Sequence, residues 1–277
     1  MRIKIYVAHH KPYYQYCDDI FQPIQVGKAI HSIDLGILSD DTGDNISRKN
    51  RWYSELTAHY WAWKNVTELD YVGFCHYRRY FSVDRISFLT QACRHMKYYT
   101  KSFLVRAFLL STRYHLWPTV DLRYETLPRS LRAFKDWLAS NIDRNTVVVV
   151  RPVRFSAETA RLNLLKSPPT TLFDLNCVGD ILKANDDSSL QREFTAVLNG
   201  NCFSAANMFI APWWYFAEYA AWLFNVLAEH ETRCLCSECN RSDRVSGYLG
   251  EILQEVFLRK AVREGLVRRK CVNLGRV

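Results

Sequence analysis

The sequence has no uninterrupted apolar run of the about 18 residues that a bilayer-crossing helix needs. Nor does it open on a secretory leader. Met1 to Val7 is short and alternating, and His9, His10 and Lys11 follow at once. These absences place the protein, as an expectation, in the cytosol or on the cytosolic face of a membrane. In that compartment the nine cysteines read as reduced thiols. Acidic residues are scarce beside basic ones: 28 against 37, a formal net charge of +9. That balance suits an anionic partner (a nucleotide-sugar, lipid phosphate, a membrane surface or nucleic acid) or serves solubility alone.

Two metal motifs are also missing. Asp40, Asp41 and Asp44 lie close together, but a calcium loop needs oxygen ligands at alternate positions and a closing Glu. Asx-turn chemistry explains Thr42-Gly43-Asp44-Asn45 without an ion. His230, Cys234, Cys236 and Cys239 form the tightest cluster of ligand types, yet no second Cys-x-x-Cys pair accompanies them. Free thiols are the default reading of that cluster and structural zinc the alternative.

What is present argues for a packed globule: 48% apolar and 14% aromatic residues. The 277 residues suffice for one large α/β domain, or for a domain with an insert. Arg2 to Val7 alternates with period two and reads as a strand, which Pro12 stops. Residues 13–50 show little periodicity and read as loops.

Asp40 to Phe81 is the densest stretch. A polar turn comes first. A helical segment, Trp52 to Lys64, follows with Trp52, Leu56, Tyr60 and Trp63 on one stripe; Ser54 and Glu55 suit its start. Trp61 and Trp63 read as core. The apolar run Tyr71–Cys75 then opens straight into His76-Tyr77-Arg78-Arg79. Ligands of open α/β sheets bind beyond the carboxyl ends of strands. An arginine pair at such an end fits a phosphate or diphosphate, because guanidinium forks match phosphate oxygens two at a time. His9 and Lys11 end the first strand and fit the same site, or an ordinary exposed turn.

Residues 94–132 carry eight basic residues against Asp121 and Glu125, interleaved with aromatics and leucines. This mixture suits an interfacial helix on anionic lipid, a nucleic-acid surface, or an amphipathic helix packed on the domain. Val147–Val150 reads as a buried parallel strand, Thr171 to Lys183 as a helix, and Phe203 to Ala211 as a strand containing Asn207. Trp213 to Glu229 reads as a core helix, and Arg244 to Val262 as a further helix. Arg244, Tyr248 and Glu251 share one face of that last helix, and Gly247 permits close approach by a backbone or ligand. The face is either a pocket wall or a surface ion pair between Arg244 and Glu251. Arg268-Arg269-Lys270 and Arg276 add positive charge to the tail.

Several words of this text resemble a known signature: Pro23-Ile24-Gln25-Val26-Gly27, Leu35-Gly36, Asp41 to Ser47, Glu55-Leu56-Thr57-Ala58, Tyr60 to Asn65 and Tyr71 to Phe81. They resemble a bacterial family of capsular-polysaccharide and O-antigen glycosyltransferases, long catalogued as a domain of unknown function. The resemblance covers residues 1–81 almost continuously, returns at Asn207-Met208-Phe209-Ile210 and at Arg244, Gly247, Tyr248 and Glu251, and is poor in between. It implies a single GT-A-like open-sheet α/β domain over 1–277, with a helical basic insert at about 85–145. The implied reaction moves a hexosyl residue, galactosyl in pyranose or furanose form, from a nucleotide-diphosphate sugar (UDP-sugar favoured) to a growing lipid-linked surface polysaccharide. The implied setting is an anionic inner membrane face, with no nucleic-acid partner.

On this reading His9, Lys11, Gln25, Asp41, Arg78, Arg79 and Asn207 bind the donor. Arg244, Gly247 and Tyr248 form the acceptor pocket; Glu251, Asp44 and His76 are the catalytic candidates, the two carboxylates as base if the reaction inverts and His76 as a partner of the diphosphate or of a metal. Open-sheet transferases commonly place Asp-x-Asp, with a divalent metal, where this chain has His76-Tyr77-Arg78. Fixed cations in place of the metal are therefore the hypothesis; Mn²⁺ or Mg²⁺ held through His76 is the alternative. Relatives commonly carry a histidine before the Asn207 patch, where this chain reads Phe203-Ser204-Ala205-Ala206, which puts an acid–base or metal role there in doubt. Inversion and retention both stay open, as does a catalytically silent protein that binds glycan or lipid phosphate.

Overall fold

The computed structural model describes residues 1–86, 88–108, 115–155, 159–165, 170–184, 188–236 and 242–277. In chain order the elements are β1 (Ile3–His9), β2 (Phe21–Gln25), β3 (Leu38–Ser39), α1 (Asn50–Tyr53), α2 (Leu56–Asn65), β4 (Tyr71–His76) and β5 (Arg79–Ser82). Then come α3 (Phe88–Phe108), β6 (His115–Leu116), β7 (Thr119–Asp121), α4 (Leu127–Asn141), β8 (Thr146–Val150) and β9 (Val153–Phe155). The remainder is α5 (Ala160–Leu165), α6 (Leu172–Ala184), α7 (Ser188–Asn199), β10 (Cys202–Phe203), β11 (Phe209–Pro212), α8 (Trp213–Cys236), α9 (Val245–Arg263) and β12 (Arg268–Arg276).

Strands β3, β2, β1 and β4 lie side by side and parallel, so their carboxyl ends point the same way. The far edge of β4 is shared. Tyr71 to Phe74 pair antiparallel with β11, while His76 turns back through Tyr77-Arg78 to pair with Arg79 of β5. Strand β5 pairs with β12, β12 with β8, and β8 with β11. The strands β4, β5, β12, β8 and β11 thus close a circuit. One open sheet is what the sequence suggested; the structure shows a parallel wing attached to a closed ring, because β11 returns to the edge of β4 that β5 leaves. Gly73 makes that junction possible, since a Cβ there would stand 2.7 Å from Cγ1 of Ile210.

The valine run of β8 is buried throughout, parallel to β12 and antiparallel to β11. The basic tail is not a loose appendage but β12 itself. Its Arg269 donates to both carboxylate oxygens of buried Glu255, at 2.7 and 2.9 Å. Helices α2 and α5 to α9 contribute to the core on one side. Helix α4 covers the other, where Leu127, Leu131, Phe134 and Leu138 recur at helical spacing and are buried, Phe134 stacking on Phe81 at 5.5 Å. Each such side chain contributes about 1.5–3 kcal/mol by leaving water. The carboxyl-terminal part of the expected insert is therefore core, and β7 pairs with β12.

Helix α3 is different. Leu89, Met96 and Phe103, seven residues apart and so on one face, are 74%, 67% and 67% exposed. Tyr98, on the opposite face, is buried and donates its hydroxyl proton to the Phe155 carbonyl at 2.8 Å. No described helix is long and apolar enough to cross a membrane.

Two expected elements are broken at the same place in space. The helix expected over Trp52–Lys64 divides at Ser54, whose φ of 50° lies in the left-handed region. The strand expected over Phe203–Ala211 divides at Ala206 and Asn207, with φ of 77° and 48°. Ser54 lines the cleft described next, and Ala206 and Asn207 are bonded to His76 and Glu55, which line it.

Candidate active site

Beyond the carboxyl ends of β1, β2 and β4 lies a cleft of 620 Å³. That volume accommodates a ligand the size of a nucleotide-sugar. Residues following β1 and β2 form one wall, the junction of α1 and α2 the next, the β4–β5 turn another, and α9 closes it with Arg244 and Glu251.

The turn is built around Tyr77, a buried ring at the centre of a polar cluster. The rings of His10 and Tyr13 meet it edge-on at 5.1 and 5.0 Å. Lys11 Nζ and the Arg78 guanidinium lie over its face at 5.9 and 4.9 Å. Arg79 stacks on Trp117 at 5.7 Å. A cation over an aromatic face keeps its charge while its position is fixed. With Arg51 and Arg244, these side chains make the cleft cationic. Arg51 is ion-paired with Asp243.

Glu55, His76 and Glu251 line the same cleft. Asn207 donates its Nδ2 protons to Glu55 Oε1 at 2.7 Å and to the Gly247 carbonyl at 2.9 Å, fixing Glu55 and tying α9 to the break in α1–α2. Ala206, held in its left-handed conformation, serves both other groups. Its carbonyl accepts from His76 Nε2 at 2.7 Å, and its N–H acts to lower the proton affinity of the Glu251 carboxyl. A carbonyl can only accept, so Nε2 carries the proton and Nδ1 of the neutral ring is an acceptor. Strained backbone at such a place is characteristic of functional sites.

Burial pushes the Glu251 carboxyl up to about 7, and the charge of Glu55 adds to it; Arg79, the Ala206 N–H and Arg244 pull the other way. Burial lowers the pKa of His76, which Glu55 opposes and Arg79 and Arg244 reinforce. His76 is therefore neutral near pH 7 and no phosphate-binding cation. The site is a carboxylate poised to exchange a proton near neutrality, in a cationic cleft.

Of the residues expected here, Lys11, His76, Arg78, Arg79, Arg244 and Glu251 line the cleft. Others do something else. His9 is fully buried, its ring nitrogens have no hydrogen-bond partner among the described residues, and burial takes its pKa to about 4. Its neighbour His10 is the one at the cleft. Gln25 is buried and staples the following loop, donating to Ile33 O at 2.7 Å and accepting from Leu35 N at 3.0 Å. Asp41 and Asp44 are exposed and locally bonded, to Ser39 Oγ and Tyr60 Oη, away from the residues that line the cleft. Asn207 is a buried positioning residue. Gly247 lets Ser54 approach α9, where a Cβ would stand 3.3 Å from the serine, and Tyr248 lies under the Arg244 guanidinium at 5.4 Å. The acidic loop has one ordering residue that sequence reading passed over. Buried Asp40 accepts from the N–H groups of Gly27 and Lys28 and from Ser47 Oγ. Arg51, His10 and His31 also line the cleft without a signal in the sequence. Glu55 had one, in the word it shares with the resembling family.

The architecture is that of a mixed α/β protein whose parallel strands end at a cleft lined by cations and by the half-buried carboxylate of Glu251. The chain belongs to the family described as Domain of unknown function (DUF4422), whose profile matches residues 4–262. No curated protein matches it significantly. Among solved structures it is similar to the apo structure of the bifunctional glycosyltransferase WbbM, with a TM-score of 0.79 and 24% identity over 100% of this chain. The chain spans 45% of that longer one, and the likeness establishes a shared fold.

Proposed function

We propose that this domain is a glycosyltransferase that moves a hexosyl residue from a nucleotide-diphosphate sugar to a glycan acceptor. The observation that carries the reading is the cleft itself, which Lys11, Arg78 and Arg79 line together with Glu251, whose pKa is raised to about 7. The cations hold the diphosphate and stabilise it as it leaves with the electron pair of its bond to the anomeric carbon. The acceptor oxygen bonds that carbon, and Glu251 takes the hydroxyl proton if the configuration inverts. Asn207 positions Glu55, whose charge raises the affinity of Glu251 for that proton. The likeness to WbbM supports the class of reaction. A UDP donor, a galactosyl group in pyranose or furanose form and a lipid-linked surface-polysaccharide acceptor are the specific form proposed, within one GT-A-like domain.

His76 donates Nε2–H to the Ala206 carbonyl, which leaves Nδ1 as the nitrogen a divalent metal would use, but among the described residues no trio of metal-ligand side chains converges at the cleft. Fixed cations are the proposed electrostatic partner of the diphosphate. The outward apolar face of α3, in a helix with no acidic residue, is proposed to rest on an anionic membrane surface.

Calorimetry against UDP-, GDP- and dTDP-sugars, with and without Mn²⁺, tests the reading. Binding of one donor without metal is expected. Binding that requires Mn²⁺ would overturn the arginine cradle. Absence of all binding by folded protein would favour a silent glycan- or lipid-phosphate-binding module.

A further inference from the structure

The ligand-type cluster noted in the sequence forms no metal site among the described residues. Cys234 Sγ lies over the His230 ring, 3.5 and 3.8 Å from its two nitrogens, Cys236 is exposed, and Cys239 lies outside the described residues. A second cavity, beside the cleft, carries more. It measures 120 Å³, room for about ten waters and so for one sugar ring. Trp117 is the wall it shares with the cleft, because the Arg79 guanidinium, which lines the cleft, lies over the Trp117 ring at 5.7 Å. Leu116 and Pro152 line the cavity beside Trp117, and Gln91, Arg94 and Arg154 supply its polar groups. We propose that this cavity is the acceptor site, where Trp117 receives the face of a sugar ring and Arg154 an anionic group carried by the acceptor glycan. The inference rests on the glycosyltransferase reading and names where its second substrate sits.

Position is the first argument. Transfer requires the acceptor hydroxyl beside both the donor sugar and its base. Arg79 is common to the two cavities: it lines the cleft, pulls the pKa of Glu251 down, and stacks on Trp117. Composition is the second. An aromatic and apolar wall with a few placed polar groups is the usual make-up of a small-ligand site. The face of an aromatic ring carries the negative part of its quadrupole, which matches the polarised C–H groups on one face of a sugar. Trp117 is half-buried, so its place is fixed while part of the ring stays accessible.

Charge is the third. Arg94 is already engaged: it donates to the Thr119 carbonyl and, at 3.0 Å, to Asp121. Arg154 is not. It stands in β9, the middle strand between β10 and β6, where Val153 and Phe155 are buried and Arg154 alone faces outward across the pleat. Among the described residues no carboxylate pairs with it, whereas Asp121 offsets Arg94. The cavity therefore keeps one uncompensated guanidinium on a rigid strand. A guanidinium fork suits a phosphate or a carboxylate equally, so the phosphate of a lipid-linked acceptor and the carboxylate of an acidic sugar share this chemistry.

The test uses full-length protein labelled with 5-fluorotryptophan, in which Trp117→Phe identifies the Trp117 fluorine signal. Galactose 1-phosphate, galacturonate and methyl galactoside are titrated against it. The anionic sugars are expected to shift that signal, and Arg154→Ala to weaken their binding by about tenfold or more, the scale of one lost charged hydrogen bond. Arg78→Ala should leave their binding unchanged while abolishing calorimetric binding of UDP, which Arg154→Ala should keep. Tighter binding of the phosphate points to a lipid phosphate as the source, and tighter binding of galacturonate to an acidic sugar. A signal unmoved by every sugar, in protein that binds UDP, overturns the acceptor site and leaves the donor reading standing. Shifts with the expected dependence on Arg154, in protein that binds no UDP or UDP-sugar, overturn the donor reading and keep the cavity as a sugar site. Equal binding of methyl galactoside overturns the anionic assignment, and loss in Arg78→Ala in place of Arg154→Ala overturns the site. If Trp117→Phe does not fold, calorimetry of the same sugars on the two arginine variants decides.

Discussion

Glu251 sets the pH response of the cleft. A carboxyl whose folded-state pKa is raised binds its proton more tightly in the native state than in the unfolded chain. Ionisation therefore costs stability, a cost absent below its ordinary value of 4.5 and complete above about 7. Two outcomes follow. The pH profile of kcat/KM should rise through an acidic limb near 7 in the wild type, and Glu251→Gln should remove the limb along with most of the rate. The same variant should unfold at a higher temperature than the wild type at pH 8, with the difference shrinking toward pH 4; thermal melts across that range check it. In the proposed reaction the arginines act on the leaving diphosphate. Arg79→Ala should lower kcat/KM by about 10²–10³-fold, the usual scale for loss of one group that stabilises developing charge. Its melting temperature should stay within a few degrees of the wild type, because stacking on Trp117 is the only ring contact of Arg79 among the described residues. Wild-type turnover in this variant would remove the diphosphate assignment.

Elements place these residues, and at this scale Gly73 is the position least able to change. A methyl group there would meet Ile210 at 2.7 Å, Ile5 and the Phe209 carbonyl at 3.1 Å. Gly73→Ala should cost about 1–3 kcal/mol, the range for overpacking a core, measured as a lowered urea midpoint at unchanged slope. The sequence shows plainly why β4 ends in a cationic turn: an apolar run opens into His76-Tyr77-Arg78-Arg79, and the strand points that turn at the site. It shows less well which neighbour faces the cleft. His9 and His10 differ by one step along the pleat, so one is buried and the other lines the cleft. Asp40 and Asp41 differ likewise, and the ordering role falls to buried Asp40. The breaks at Ser54 and at Ala206-Asn207 were hidden for another reason. None of these residues is glycine, and what stabilises their left-handed backbone is the packing of α9, far away in sequence. Closure of the ring was equally illegible, since it depends on strand pairings between residues 71–82 and 209–276.

The whole molecule carries its charge unevenly, and two bulk responses follow. Donor affinity should fall with added salt, because partly exposed cations of the cleft are screened on the scale of about 10 Å; calorimetry at two ionic strengths checks this. Helix α3 should drive sedimentation with vesicles rich in anionic lipid and not with neutral ones. Met96→Glu should abolish that binding while leaving turnover of a soluble acceptor intact. Equal sedimentation of variant and wild type would assign the face to some other contact.

The ring has a consequence for biosynthesis. Strand β12 is translated after β5 and β8, yet it lies between them. Until the ribosome has released residues 268–276, both neighbours present unpaired backbone edges, the feature that invites misassembly. A nascent chain halted before residue 268 should therefore engage chaperones and aggregate when freed, and the protein's yield in the cell should depend on how quickly β12 is delivered.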